Sequence, residues 1–413
     1  MSTFKLLIAV SLLLLIMLVW WQAGSRETGS HGDARPELPN IIVITVDTLR
    51  ADHLGCYGYS RDTSPHLDRF AAEGMLFKNC YSQASLTTPS CASILSGFLP
   101  HETEMMENSS FLSEDVPMIA ERLEQAGYRT CAVVSNWVLN HRRGLNQGFR
   151  LYDDQMDESE ANRNQPERTA LHTTDRCIEL LKDADRAPLF LWVHYQDPHG
   201  SYTPPPPFDT AFEADSASPK LLFNEDLSGL HGIPRYQRLG DHDDYGFYVS
   251  RYDGEIRYFD EQFGRLVEGL KSAGLYEDSL ILFTADHGEA MGEHDYYFSH
   301  GHNLDHCLLH VPLVVHGLRI TPGVRDEPVQ HLDIVPTILD VIGARAEDQY
   351  RGRSLLEAPK TPSVIYSQRR KNLCSLMVNG LKLVKGQQYA VLYDVINDPD
   401  EKSDLISHNQ YKD

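Results

Sequence analysis

Residues Ile41-Ile42-Val43-Ile44-Thr45-Val46 form an unbroken, mostly β-branched run that ends on Asp47. A run this short and this apolar suits a strand buried on both faces, as in a parallel sheet covered by helices. The rest of the chain repeats that pattern. Ser64-Pro65 offers a helix cap with proline at the first helical position, ahead of Leu67, Phe70 and Ala71 at helical spacing. Val116–Ala126 reads as helix and Thr130–Val134 as strand, then Thr169–Leu181 as helix and Leu189–His194 as strand. A long helix is expected over Tyr248–Ala273, with Ile256, Phe259, Phe263, Leu266 and Leu270 on one stripe. Leu280–Phe283 and Val311–Val315 read as further strands, and Ile334–Ile342 as a further helix. This alternation predicts an α/β fold, a large and mostly parallel sheet sandwiched by helices. After about residue 360, short apolar runs are separated by Asn379-Gly380 and Lys385-Gly386, which predicts a small C-terminal antiparallel sheet.

The 37 Lys and Arg against 59 Asp and Glu give a net charge of −22. Such a surface repels a phosphate backbone, so no nucleic-acid partner is expected. The seven cysteines are scattered without a C-x-x-C pair, which argues against a disulfide framework and against a thiolate zinc site. Lys5 precedes an apolar run, Leu6–Trp21, broken only by Ser11. As a helix that run spans about 24 Å, short of a ~30 Å hydrocarbon core, so a cleaved signal peptide and an N-terminal membrane anchor are both open. Either reading places the remainder outside the cytoplasm, in the periplasm or the extracellular space, tethered to the membrane by residues 6–21 if they are retained. The expected organisation is 1–24 signal or anchor, 25–38 linker, 39–358 catalytic α/β domain and 359–413 small β subdomain. Residues 199–245 are rich in Pro, Asp and Gly and read as a long loop of the kind that shapes a site.

Ligands of open α/β sheets bind outside the carboxyl ends of the strands. Asp47, Asp197, Asp286 and His287 all fall at such ends, with His199 two residues beyond Asp197. Oxygen and imidazole donors together suit a divalent metal, Ca, Mn, Mg or Zn. A second feature is Ser85-Leu86-Thr87-Thr88-Pro89-Ser90-Cys91, in which Thr87 or Thr88 would cap a helix beginning at Pro89. Amides at a helix start favour an anion, and a threonine there beside a metal is a candidate nucleophile.

These residues lie in motifs that resemble those of the sulfatase family, within the alkaline phosphatase superfamily. Val46-Asp47-Thr48-Leu49-Arg50-Ala51-Asp52 is similar to the family's opening motif, and His194-Tyr195-Gln196-Asp197-Pro198-His199 to its central histidine motif. Tyr252-Asp253-Gly254-Glu255, Thr284-Ala285-Asp286-His287-Gly288-Glu289, Val311-Pro312-Leu313 and Leu392-Tyr393-Asp394 match later ones, in family order. The resemblance implies a metal held by Asp47, Thr87, Asp286 and His287. Two departures stand out. The position of the family's Cys or Ser, which is converted to formylglycine, is Thr87 here, and the motif's Arg is Cys91, so no formylglycine is expected. The paired Asp after the first ligand is replaced by Thr48.

A threonine at that position resembles the nucleotide pyrophosphatase/phosphodiesterase and the phosphoglycerol or phosphoethanolamine transferase branches. By that resemblance Thr87 is the nucleophile on a phospho- or sulfoester. His199 and His302 would contact substrate oxygens or protonate the leaving group, and Asp197 would bind substrate or, with those two histidines, a second metal. His300, His306 and His310 have no assigned role. The substrate would be a small-molecule, glycan or lipid-linked ester. The alternatives are sulfate-ester hydrolysis by another mechanism, transfer to an acceptor alcohol, and an inactive binding protein of the same fold.

Overall fold

The apolar run forms strand β1 (Asn40–Val46), six of whose seven residues are buried. Each large aliphatic side chain removed from water there contributes about 1.5–3 kcal/mol, which fixes β1 in the middle of the sheet. The computed structural model describes residues 38–406 apart from 157, 161, 183–187, 216, 318–319, 346–348 and 359–362. The run expected to be a signal or anchor, 6–21, lies outside the described residues. Among those residues no helix is long and apolar enough to cross a membrane.

The other strands of the central sheet are β2 (Met75–Tyr81), β3 (Arg129–Val134), β4 (Leu151–Asp153), β5 (Leu189–Tyr195), β6 (Ser279–Ala285), β7 (His310–His316), β8 (Gly323–Arg325) and β9 (Val329–Gln330). Their order is β8-β2-β7-β6-β1-β5-β3-β4, with β9 also pairing β2. Only β7 runs against its neighbours β6 and β2; the remaining pairings are parallel. The longer helices are α1 (Pro65–Glu73), α2 (Thr87–Ser96), α3 (Ile119–Gln125), α4 (Ala170–Leu181), α5 (Tyr245–Ser272) and α6 (Ile334–Val341). Helices α1 and α4 pack on α5 in one layer, and α2 touches α3 and α6 in another.

The expected elements are found within a few residues. Strand β2 is the exception: Lys78 and Asn79 interrupt its apolar run, and Gly74 alone separates it from α1, so nothing in the pattern marks a new element. Helix α3 begins at Ile119 rather than Val116 because Val116 precedes Pro117, which disfavours helical backbone there. The Glu121 carboxylate accepts the Met118 amide at 2.9 Å and fixes the later start.

Strands β10 (Val364–Arg369), β11 (Leu373–Val378), β12 (Leu381–Lys385) and β13 (Ala390–Asp394) form the expected antiparallel sheet in sequence order. Asn379 and Gly380 both have positive φ, 52° and 81°, as a two-residue hairpin turn requires. This small sheet shares a core with the large one: Ile365, Met377 and Val395 pack with Tyr81, Leu304 and Leu309.

Helix α5 clamps the turn after β1. Tyr252 donates its hydroxyl to the Thr48 carbonyl (2.7 Å) and accepts the Arg50 amide (3.0 Å). The fully buried Asp253 meets His53 Nδ1 (2.8 Å), the Tyr59 hydroxyl (2.8 Å) and Arg61 Nη1 (2.7 Å). At Gly254 a Cβ would lie 2.6 Å from the Phe208 carbonyl oxygen, so glycine lets the long loop lie directly on the helix. Replacing Asp253 by Ala should therefore cost about 3 kcal/mol, since it strands His53 and Arg61, and urea unfolding of the variant measures it.

Candidate active site

Strand register builds the site. Val46 pairs with Ala285 on one side and Tyr195 on the other. The Asp286 amide donates to the Val46 carbonyl (3.0 Å) and the Asp47 amide to the Tyr195 carbonyl (2.9 Å). Asp47 and Asp286 are therefore lateral neighbours at the carboxyl edge of the sheet. Thr48 turns the chain there with φ 56°, a left-handed conformation that a β-branched residue adopts only under constraint. The constraint is visible: Asp286 Oδ1 accepts the Thr48 amide (3.2 Å) while Tyr252 holds its carbonyl.

Asp47, Asp286 and His287 are fully buried, and one donor atom from each lies within 4.8 Å of the others. His287 Nε2 is 3.8 Å from Asp47 Oδ1 and 3.7 Å from Asp286 Oδ2, and neither of those oxygens has a hydrogen-bond partner. Two unpartnered carboxylate oxygens facing one imidazole nitrogen, without solvent, are costly unless a cation lies between them. A divalent metal fits this donor set.

Helix α2 brings Thr87 to the same place. Its hydroxyl lies 3.4 Å from Asp47 Oδ2 and 3.4 Å from His287 Nε2. The expected threonine cap is not formed: α2 begins at Thr87 itself, with Leu86 before it and no side-chain cap. Groups from elsewhere in the fold take over that work. Asn108 Oδ1 accepts the Thr88 amide (3.0 Å), and the Thr88 hydroxyl donates to the Val138 carbonyl (2.9 Å). Ser90 ties the helix to the sheet by donating its hydroxyl to the Asp286 carbonyl (2.6 Å).

Three residues without an expected role join the cluster. Asn136 Nδ2 donates to Asp47 Oδ2 at 2.5 Å, and His194 Nε2 lies 3.7 Å from the same oxygen. His300 lies with its ring centroid 4.5 Å from that of His287 and 5.3 Å from that of His199, and its Nδ1 is 3.0 Å from Glu289 Oε1. Asn136 stands two residues past the end of β3, where the strand-end rule would have found it. The signal for His300 is Glu289, a carboxylate in the Asp286-His287-Gly288-Glu289 motif that needs a partner once buried.

His199 is buried, with Nδ1 unpartnered. Asp197 and His302 are not brought into the group. Asp197 Oδ2 accepts the Ala170 amide at the start of α4 (2.8 Å). His302 is exposed, with its ring 5.8 Å from Tyr296, because the chain turns at Gly301 (φ 76°) between the two histidines. Strand β10 fixes that turn through Arg369, whose Nε donates to the Gly301 carbonyl (2.5 Å). Among the described residues Asp47, Asp286 and His287 are the one group with metal-ligand spacing, and Asp197, His199 and His302 do not lie at that spacing from one another.

Burial sets the protonation states. Asp286 is pushed well above the carboxylate range, first by burial and then by the Asp47 charge. Burial would raise Asp47 too, but His199, His194 and His287 outweigh it and hold Asp47 below its ordinary range. Burial lowers His287 and His199 to about 3, leaving neutral rings at pH 7 that can coordinate or donate one N–H. His300 goes the other way: burial opposes its charge, but the Glu289 carboxylate raises it above its usual value.

The Sulfatase family model matches residues 39–344. The chain belongs to the sulfatase family. A Delta 4,5-hexuronate-2-O-sulfatase of Bacteroides thetaiotaomicron is 23% identical over 91% of this chain and 86% of its own length. The fold is shared with a protein solved in complex with its substrate D-glucosamine-2-N,6-O-disulfate (TM-score 0.74, 21% identity, 91% of this chain and 94% of that one). It is also shared with the phosphonate monoester hydrolase of Agrobacterium radiobacter (TM-score 0.73, 20% identity, 91% and 92%). This sulfatase-family chain is an ester-bond hydrolase. The segment Thr87–Cys91 is the start of α2, and Cys91 is wholly buried. A divalent cation supplied at about 100 times its dissociation constant should stabilise the fold by about 2.7 kcal/mol, and Asp286→Asn should abolish that gain, read as thermal unfolding with and without chelator.

Proposed function

We propose that the chain hydrolyses a phosphoester, with Thr87 as nucleophile. The observation that carries this reading is the Thr87 hydroxyl 3.4 Å from both Asp47 Oδ2 and His287 Nε2, on the first residue of a helix. Asp47, Asp286, His287 and Thr87 would hold a divalent cation. When bound, that cation supplies Lewis-acid charge that lowers the hydroxyl pKa and offsets the charge on the non-bridging oxygens.

The chain's own groups supply the rest. Thr87 Oγ1 gives up its proton towards Asp47 Oδ2 and forms a bond to phosphorus, and the bond from phosphorus to the leaving oxygen breaks. The electron pair goes to that oxygen, which takes a proton from an imidazole. His300, kept cationic by Glu289, is the acid, and His199 donates one N–H to a phosphoryl oxygen. Water then attacks phosphorus and gives a proton to the now neutral His300 imidazole, the bond from phosphorus to Thr87 Oγ1 breaks, and the proton held by Asp47 returns to Thr87 Oγ1. An acceptor alcohol in place of water would make the reaction a transfer.

Without formylglycine the site has no aldehyde hydrate, which is why phosphorus is favoured over sulfur. The relatives' names favour the second reading, a sulfate ester of a glycan or small molecule. Export, with retention at the membrane as its variant, rests on Lys5 and the apolar run of residues 6–21; fractionation of expressing cells tests it.

Turnover of bis-nitrophenyl phosphate should fall at least about a thousandfold in Thr87→Ala and be partly kept in Thr87→Ser. Nitrophenyl sulfate turnover that survives Thr87→Ala would support the sulfate reading instead. The pH–rate profile follows His300. Its folded pKa is raised, so the imidazolium is present below its ordinary 6.5 and is lost only as pH rises through the higher folded value. The rate should therefore fall on the alkaline side, and His300→Gln should remove that limb.

A further inference from the structure

A file of rings leads away from the cluster. His287 and His300 have centroids 4.5 Å apart, His300 and His199 5.3 Å, and His199 stacks on Tyr236 at 6.3 Å. At its far end the Arg163 guanidinium lies 4.5 Å over the Tyr236 ring. Arg163 sits on the turn between two short paired segments, Glu158–Ser159 and Pro166–Glu167. Nε donates to Glu160 Oε2 (2.5 Å) and Nη2 to Glu160 Oε1 (2.6 Å), and among the described residues no hydrogen bond uses Nη1.

The pair is asymmetric, with the Glu160 side chain 6% exposed and that of Arg163 22%. The carboxylate is thus the buried brace and the guanidinium the accessible member. Asn162 fastens the turn to the long loop, donating to the Tyr236 and Arg238 carbonyls at 2.8 Å each. The Arg163 charge lowers the affinity of both His199 and His300 for protons, so it acts within the field of the site.

We propose that the Nη1 edge of Arg163 is an anion subsite, which takes a carboxylate, sulfate or second phosphoryl group on the substrate away from the reacting ester. The proposal deepens the hydrolase reading and rests on it for the position of the reacting group. The favoured substrate is then an ester with a second negative charge. A guanidinium held in a fixed fork presents a planar edge suited to an oxyanion, and a stacked ring keeps that edge in place.

Calorimetry on the full chain with manganese supplied tests this with two probes, propylphosphonate and carboxyethylphosphonate, which differ by one carboxylate. Wild type should bind the carboxylate-bearing probe about 10- to 100-fold more tightly. Arg163→Met should reduce that ratio to near one, and Arg163→Lys, which keeps the charge but not the fork, should recover only part of it. The ratio is read within each protein, so a general loss of affinity cancels. A wild-type ratio near one, or a ratio unchanged in both variants, overturns the subsite. Thr87→Ala is assayed separately for turnover: persistence there sinks the threonine-nucleophile reading and leaves the Arg163 ratio to be judged on its own.

Discussion

The parallel pairing of β1 with β6 is the constraint on which the site depends. It carries Asp47 and Asp286 to the same edge of the sheet, one residue beyond the paired Val46 and Ala285. Neither carboxylate can move away, because both lie at the ends of strands buried on both faces. The sheet therefore forces two acids together in a region without water. The cost of that arrangement falls on the surrounding groups: Asn136 and His194 on Asp47, and the amides of Thr48 and His287 on Asp286. The two oxygens left over face the place where a divalent cation would fit. Stability of the turn at Thr48 and competence of the site are thus one problem, solved jointly by Asp286 and by Tyr252 of helix α5.

Around this fixed centre, helix α2 starts with Thr87, carries Cys91 and presents a hydroxyl and no positive charge. Arg163, paired with Glu160, is a positive charge beside the ring file, and Glu289 favours the protonated form of His300. Both are braced by buried carboxylates, which keep a cation charged and oriented in surroundings that would otherwise discharge or misplace it. The C-terminal sheet takes part as well. Arg369 holds the Gly301 carbonyl and forms a paired contact with Glu107 (2.8 and 3.0 Å), so the small sheet fixes the turn that follows His300.

Much of this was legible before any coordinates. The runs at residues 41–46, 189–194, 280–283 and 311–315 are strands because only burial on both faces accommodates them, and Asn379-Gly380 is a hairpin because of its positive φ angles. Asp47, Asp286 and His287 were readable as one group because strand ends converge at one edge of a parallel sheet, and Thr87 was added to them by the resemblance of its motif. Strand β2 was not readable, since it is interrupted by polar residues and follows a helix with one glycine between. The choice between His300 and His302 was not readable either. They differ by two positions, and the backbone at Gly301 together with Glu289 decides which one faces the metal-ligand group.

The sequence by itself determined the strands at residues 41–46, 189–194, 280–283 and 311–315 and the residue types that follow them, because burial and turn chemistry act over a few neighbouring residues. The tertiary structure alone decided that Asn108 replaces a threonine cap on α2, that Asp197 serves the start of α4, and that Arg163 reaches the end of the ring file from His287. Those outcomes depend on partners tens of residues away, and a buried polar group goes wherever the packed chain offers it one.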